Sequence, residues 1–152
     1  MPPNCVTVGF GGIRWDLVGQ VSEFVFQGTS ALALDGKGRM TVPVRHREAL
    51  AQLCTNQLTI TRHTEHCLLV FPRPAWTALR AQLMALSNRS EHFKRLYLGS
   101  AVDVDVDSAD RVLIPPELRQ WAGLRHYVML VGMGTHFELW DGARHAQAEA
   151  AA

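Results

Sequence analysis

Lys37 and Arg39 are the residues best placed by type and spacing to do chemistry, and the chemistry is recognition of a polyanion. They alternate with glycine in the run Asp35-Gly36-Lys37-Gly38-Arg39-Met40-Thr41-Val42-Pro43. The glycines permit positive φ, and an aspartate heading such a run bonds the backbone two residues on, so the segment reads as a tight reversal. A lysine at the tip can take a phosphate while an arginine two residues later lays its guanidinium fork on the O6 and N7 edge of a guanine. Arg45 and Arg47 follow in the next element and are candidates for the same interface. The competing reading is structural: Asp35 accepts backbone N–H bonds, or pairs with Arg39, and so holds the turn.

The same frame occurs twice. Asp35, Arg39, Pro43 and Arg47 recur at one constant offset as Asp107, Arg111, Pro115 and Arg119. The apolar positions recur with them: Leu32 with Val104, Leu34 with Val106, Met40 with Val112 and Val42 with Ile114. A repeated D-x3-R-x3-P-x3-R core implies two copies of one small unit. The charge differs between copies. Residues 35–48 carry Lys37, Arg39, Arg45 and Arg47 against Asp35 and Glu48, whereas residues 107–120 carry Arg111 and Arg119 against Asp107, Asp110 and Glu117. Asp107 and Arg111 are therefore read as a structural turn motif in an acidic setting.

Other chemistry has less support. His63-x2-His66-Cys67 is the nearest approach to a metal set, but it lacks a second ligand cluster at matched spacing and reads as a loop of solvated histidines. No Ser/His/Asp or Cys/His arrangement has supporting local sequence, and Gly36-x-Gly38 lacks the rest of a nucleotide loop. The expectation is no enzyme, no metal and no cofactor, and no small-molecule substrate is evident.

The elements that must position these residues can be read from pattern. Thr29–Leu34 and Arg39–Val42 read as strands flanking the turn, and Pro43 stops the second because it has no N–H for a ladder. Val44–Leu53 reads as a short helix, and Gln57–Thr61 and Cys67–Phe71 as two more strands. Between the units, Trp76, Leu79, Leu83 and Leu86 follow Pro74 at helical spacing, and Phe93, Leu96 and Tyr97 form a second apolar face. The second unit repeats the order: strand Ser100–Val106, turn Asp107–Asp110, strand Arg111–Ile114, helix Pro116–Trp121, and strands Tyr127–Val131 and His136–Trp140. This gives an α+β chain with a first unit at 29–71, a helical linker at 72–99, a second unit at 100–143 and a tail at 144–152. Residues 1–24, with four glycines and no counterpart before the second unit, read as a poorly ordered extension.

Composition is consistent with a globular chain of ordinary domain size. No apolar run approaches the ~20 residues that span a bilayer. Three cysteines at irregular spacing argue against a disulfide framework and for a reducing, cytosolic setting. The net charge of +1 makes a lone copy a poor generic polyanion binder, so local charge must carry any nucleic-acid contact.

With both units in view, the chain resembles the MraZ family of bacterial transcriptional regulators. The resemblance is carried by Phe26-x-Gly28, by Asp35 to Pro43, by Cys67-Leu-Leu-Val-Phe-Pro and by Val131-Gly-Met-Gly-Thr-His-Phe-Glu-Leu-Trp. It runs from about Val25 to Asp141. It implies a tandem pair of swapped-hairpin, SpoVT-AbrB-like units forming a β-barrel-like body, assembled into ring-shaped homo-oligomers. It also implies binding of double-stranded DNA at short G-rich direct repeats upstream of the chain's own gene, at the head of the division and cell-wall cluster. A nucleoid-associated location follows. The DNA-facing loop of the family carries onto Lys37 and Arg39; the second turn departs from the pattern, with Ala109 for Lys37 and Asp110 for Gly38.

Two further expectations follow. The apolar inter-repeat helices, with Trp76, Leu79, Leu83, Phe93, Leu96 and Tyr97, offer a patch that an oligomer interface would cover. With the acidic second unit they also leave open the alternative of a protein-interaction scaffold without specific DNA binding. Translation is expected to start at Val25, which stands where the family has its initiator Met, leaving residues 1–24 outside the native protein.

Overall fold

The computed structural model describes residues 25–152; the expectations for residues 1–24 lie outside them. The first unit comprises β1 (Thr29–Ala33), β2 (Arg39–Thr41), α1 (Val44–Cys54), β3 (Gln57–Arg62) and β4 (Leu68–Pro72). The linker holds α2 (Arg73–Ala85), a 3-10 turn (Asn88–Ser90) and α3 (Glu91–Tyr97). The second unit comprises β5 (Val102–Asp105), β6 (Arg111–Leu113), α4 (Pro116–Trp121), β7 (Tyr127–Gly132) and β8 (Phe137–Asp141). The Ala-rich tail forms a helix, α5 (Gly142–Ala151), started by Asp141, whose Oδ2 accepts the Arg144 N–H at 3.3 Å.

Local chemistry accounts for the element ends. Pro43, Pro72 and Pro115 each stand at a helix N-cap with φ near −55°, where a missing N–H costs nothing. α1 stops because Thr55 and Asn56 turn left-handed, at φ 53° and 60°, and return their N–H groups to Ala51 and Leu50.

The strands before and after each turn do not pair with each other as a hairpin. β1 pairs with β7, β5 pairs with β3, and β2 pairs with β6, all antiparallel and all between units. The main sheet runs β1-β7-β8-β4-β3-β5, and β2 and β6 form a separate two-stranded ribbon. Exchanging the two units reverses the strand order onto itself, so a pseudo-twofold axis passes between β4 and β8 and through the Met40–Val112 pair of the ribbon. The exchange is a swap of segments within one chain. The barrel expectation needs correction: the described sheet is open, ending at β1 and β5. The physical reason is that β2 and β6 satisfy their ladder bonds with each other and so do not bridge the two edges.

Two apolar layers cover the sheet. One is shared by both units and takes Leu68 and Val70 of β4, Phe137 and Leu139 of β8, and Met40, Val42, Val112 and Ile114 around the ribbon. The other lies on the opposite face, where Leu69 and Phe71 meet Ala75, Trp76, Leu79 and Leu83 of α2 and Tyr97 of α3. β4 is buried at every position because both its faces are covered. Trp76, Leu79, Leu83 and Tyr97 are thus core residues of the chain itself. This corrects the expectation that the inter-repeat helices present their apolar face to a partner: the sheet already covers most of it. Close packing also explains Gly132, where an added Cβ would meet the Gln27 backbone at 2.5 Å.

Candidate nucleic-acid interface

Asp35 organises the first turn as the structural reading requires. Its Oδ1 accepts the N–H of Lys37 and of Arg39, both at 2.9 Å, and its Oδ2 accepts Arg39 Nε at 2.7 Å. The Asp35 N–H donates to the Arg39 carbonyl at 3.0 Å, closing the reversal. These bonds favour the carboxylate, and the Arg39 N–H above all lowers the Asp35 pKa to about 2, with Arg39 Nε and the Lys37 N–H adding to it. Asp107 repeats the geometry, accepting the N–H groups of Ala109 and Arg111 at 2.8 and 2.9 Å and pairing with Arg111 Nε at 3.3 Å. Its pKa is lowered by the same kind of bonds, that from Arg111 N–H first.

This predicts an acid response. A carboxylate whose folded pKa lies below its unfolded value of about 3.9 stabilises the fold above that value. The contribution fades as pH falls from about 4 through 2, when Asp35 protonates and the turn loses its charged acceptor. Carboxyl titration by NMR is expected to show Asp35 ionising near 2 and Asp107 below the ordinary aspartate value; an ordinary Asp35 value in the folded chain would contradict the bonding pattern.

The last arginine of each repeat has a different task. Arg47 Nε donates to the Val42 carbonyl at 2.9 Å, and Arg119 Nε donates to the Ile114 carbonyl at 2.9 Å. Each ties the start of its helix back to the strand before the proline. Each also reaches across the pseudo-twofold. Arg47 Nη1 lies 3.5 Å from Asp110 Oδ2, and the Arg119 guanidinium covers Gly38 so closely that an added Cβ would stand 2.3 Å from it. Backbone bonds follow the same symmetry, Val42 N–H to Asp110 O at 2.8 Å and Ile114 N–H to Gly38 O at 3.1 Å. Gly38 and Asp110 are therefore equivalent positions, both left-handed, at φ 83° and 60°.

That equivalence yields a prediction. Gly38→Asp converts the first turn toward the second: aspartate tolerates the left-handed conformation, and Arg119 can pair with it as Arg47 pairs with Asp110. The variant is expected to fold with its secondary structure intact, after Arg119 shifts, and to lose DNA affinity because a carboxylate now sits beside Lys37. Circular dichroism and DNA binding, measured together, check both halves.

The ribbon collects the remaining groups. Met40 and Val112 are buried on its inner side, and Arg39, Thr41, Arg111 and Leu113 share its outer side. The two turns stand at its two ends. Lys37 is exposed at the tip of the first and makes no ion pair among the described residues. Of the candidates read from sequence, Lys37 and Arg39 are brought together here, and Arg111 joins them, which local sequence did not reveal. Arg47 is turned into the contact between units. Arg45 is exposed but held away from the turn, its Nη2 donating to Ser30 Oγ at 2.5 Å and its Nε meeting the buried His46 at 3.3 Å. Ser30 lies five residues before Asp35, roughly 16 Å along an extended strand.

The His63–Cys67 loop also differs from expectation. Cys67 is fully buried, His63 is half-buried, and His66, though exposed, stacks on Trp121 at 4.7 Å between ring centroids.

The ribbon and its first turn present the cations Lys37, Arg39 and Arg111, donors suited to holding an anion. The sequence pattern of the MraZ protein family, described as antitoxin-like, matches residues 25–99 and again residues 97–152. The chain is 60% identical over 131 residues to a transcriptional regulator MraZ of Leptothrix cholodnii, covering 86% of this chain and 90% of that protein. It is 57% identical over 130 residues to the namesake of Methylibium petroleiphilum, covering 86% and 89%, and 53% identical over 128 residues to that of Burkholderia vietnamiensis, covering 84% and 90%. Two matches to one domain, in the two units that interleave across the ribbon, show that the chain belongs to the MraZ family of transcriptional regulators, not enzymes, and carries two tandem MraZ domains.

Proposed function

We propose that the chain regulates transcription by binding double-stranded DNA with the outer side of the β2–β6 ribbon and its first turn. The observation that carries this is Arg39 on the outer ribbon face, held by Asp35, beside an exposed Lys37 that stands at a glycine-flanked tip and makes no ion pair among the described residues. Arg39 is pre-oriented, so its fork loses little freedom on meeting a guanine edge, and Lys37 supplies a phosphate contact. The target is short G-rich direct repeats upstream of the chain's own gene in the division and cell-wall cluster. The chain works there in the cytoplasm, at the nucleoid.

One turn per copy supplies few contacts. A ring-shaped homo-oligomer overcomes this by placing identical turns in series, so that the second contact becomes intramolecular and repeated turns meet repeated sites. The ring is supported by the family resemblance. The scaffold alternative is weakened by the burial of Trp76, Leu79, Leu83 and Tyr97, which leaves it less apolar surface to use.

Footprinting of the purified chain on the DNA upstream of its gene tests the reading, with affinity followed against salt. Protection of G-rich repeats and a steep fall of log affinity with log salt are expected, since only phosphate neutralisation gives that slope. Light scattering at micromolar concentration tests the oligomer, and a monomer mass would count against the ring.

A further inference from the structure

The sheet face opposite the ribbon carries a cluster that the DNA interface does not use. His63 follows the last residue of β3, Cys67 immediately precedes β4, and Glu138 lies on β8 opposite Leu69. Cys67 and Leu69 point to one face, two residues apart, so the Cys67 thiol and the Glu138 carboxylate are diagonal neighbours across the pseudo-twofold seam. The hairpin brings His63 to them: His63 N–H donates to the Cys67 carbonyl at 3.0 Å, and His66 N–H donates to the His63 carbonyl at 3.1 Å. One donor atom from each of His63, Cys67 and Glu138 lies within 4.8 Å of the other two. The ribbon packs on the other side of the sheet, through the layer that contains Leu68, Val70, Met40 and Val112.

We propose that His63, Cys67 and Glu138 form a zinc site that ties the β3–β4 hairpin of the first unit to β8 of the second, with water as the fourth ligand. The donor set is one sulfur, one imidazole nitrogen and one carboxylate oxygen, a borderline combination that suits zinc better than calcium or magnesium. Zinc bonds of about 2.0–2.3 Å require donors roughly 3.3–3.8 Å apart, so a pair at the 4.8 Å limit must close by about 1 Å. Glu138 is oriented for this by Trp140, whose Nε1–H donates to Oε1 at 3.0 Å and leaves Oε2 for the ion. No Lys or Arg forms an ion pair with Glu138 among the described residues, so a bound cation would also neutralise a half-buried carboxylate. His63 Nδ1 accepts the exposed Glu65 N–H at 3.1 Å. On binding, that N–H turns to water and the imidazole coordinates as the neutral ring, while the Cys67 thiol gives its proton to solvent and binds as thiolate.

The probes are cobalt(II) and zinc(II) added to the metal-free full chain at neutral pH. Cobalt is expected to give a near-ultraviolet thiolate-to-metal charge-transfer band and the visible bands of a tetrahedral site. The bands should persist in Cys5→Ala and vanish in Cys67→Ser. Zinc is expected to raise the melting temperature of the unaltered chain. Glu138→Gln, which keeps an acceptor for Trp140, should weaken zinc binding by at least about tenfold, the loss that even outer-shell partners cause, and His63→Ala should do the same. The unaltered chain supplies a test that does not depend on any variant folding: a cobalt spectrum of free aquo ion, with a melting temperature indifferent to zinc, overturns the proposal. So does a charge-transfer band that survives in Cys67→Ser.

Discussion

Arg39→Ala is expected to abolish specific DNA binding while the fold survives. The side chain lies on the outer side of the ribbon, and its bond is to Asp35 at the same turn. Asp35 keeps the N–H groups of Lys37 and Arg39 after the substitution, so the reversal retains two of its three side-chain bonds. One bidentate arginine–guanine contact contributes roughly 1–3 kcal/mol of discrimination, and repetition around an oligomer multiplies the loss. Affinity for upstream DNA, circular dichroism and oligomer mass should be measured on one preparation. Unchanged affinity in a normally folded variant would remove Arg39 from the interface. Arg111→Ala is the internal control. Arg111 shares the ribbon face, but Asp107 and Asp110 lie at its turn and repel phosphate, so its effect on affinity should be the smaller one. An equal loss would mean that both ends of the ribbon touch DNA.

Phe71→Ala is expected to have the largest effect on stability, about 3–5 kcal/mol, as for other buried phenylalanines. Phe71 has no exposed surface, and its ring packs against Trp76 at 5.7 Å and His136 at 4.7 Å between centroids. It joins the helices of the linker to the sheet. Because domains are stable by only about 5–15 kcal/mol, the variant should melt far below the parent and reach its urea midpoint early. The ribbon packs on the opposite layer, so the fraction still folded should bind DNA as the parent does. A loss below about 1 kcal/mol would show that the α2 layer is not held on the sheet as described.

The two expectations separate because the sheet separates their causes. Phe71 and Leu69 point to one face of β4, and Leu68 and Val70 to the other. A substitution on the first face is a change of stability, and one on the ribbon's outer side is a change of recognition.

Much of this was legible in the sequence, and for a common reason. The turns at Asp35 and Asp107, the prolines before the helices and the helical spacing of Trp76, Leu79 and Leu83 all express contacts between residues two to four apart, which a linear pattern records directly. The duplication was legible because the same local contacts occur twice. What tertiary structure alone decided was pairing between distant segments. A strand with alternating apolar residues satisfies its hydrogen bonds equally with the strand after the turn or with one in the other unit, and only burial of the whole set selects the crossed arrangement of β1 with β7 and β2 with β6. That choice places Arg111 on the same ribbon face as Arg39, turns Arg47 toward Asp110 and Arg119 over Gly38, and uses the apolar linker helices to cover the sheet. It also brings Glu138 to His63 and Cys67, a neighbour that no spacing rule within one loop could supply. The residues at each turn were determined by local chemistry; which of them meet was determined by the exchange of strands between two copies that each lack a complete core of their own.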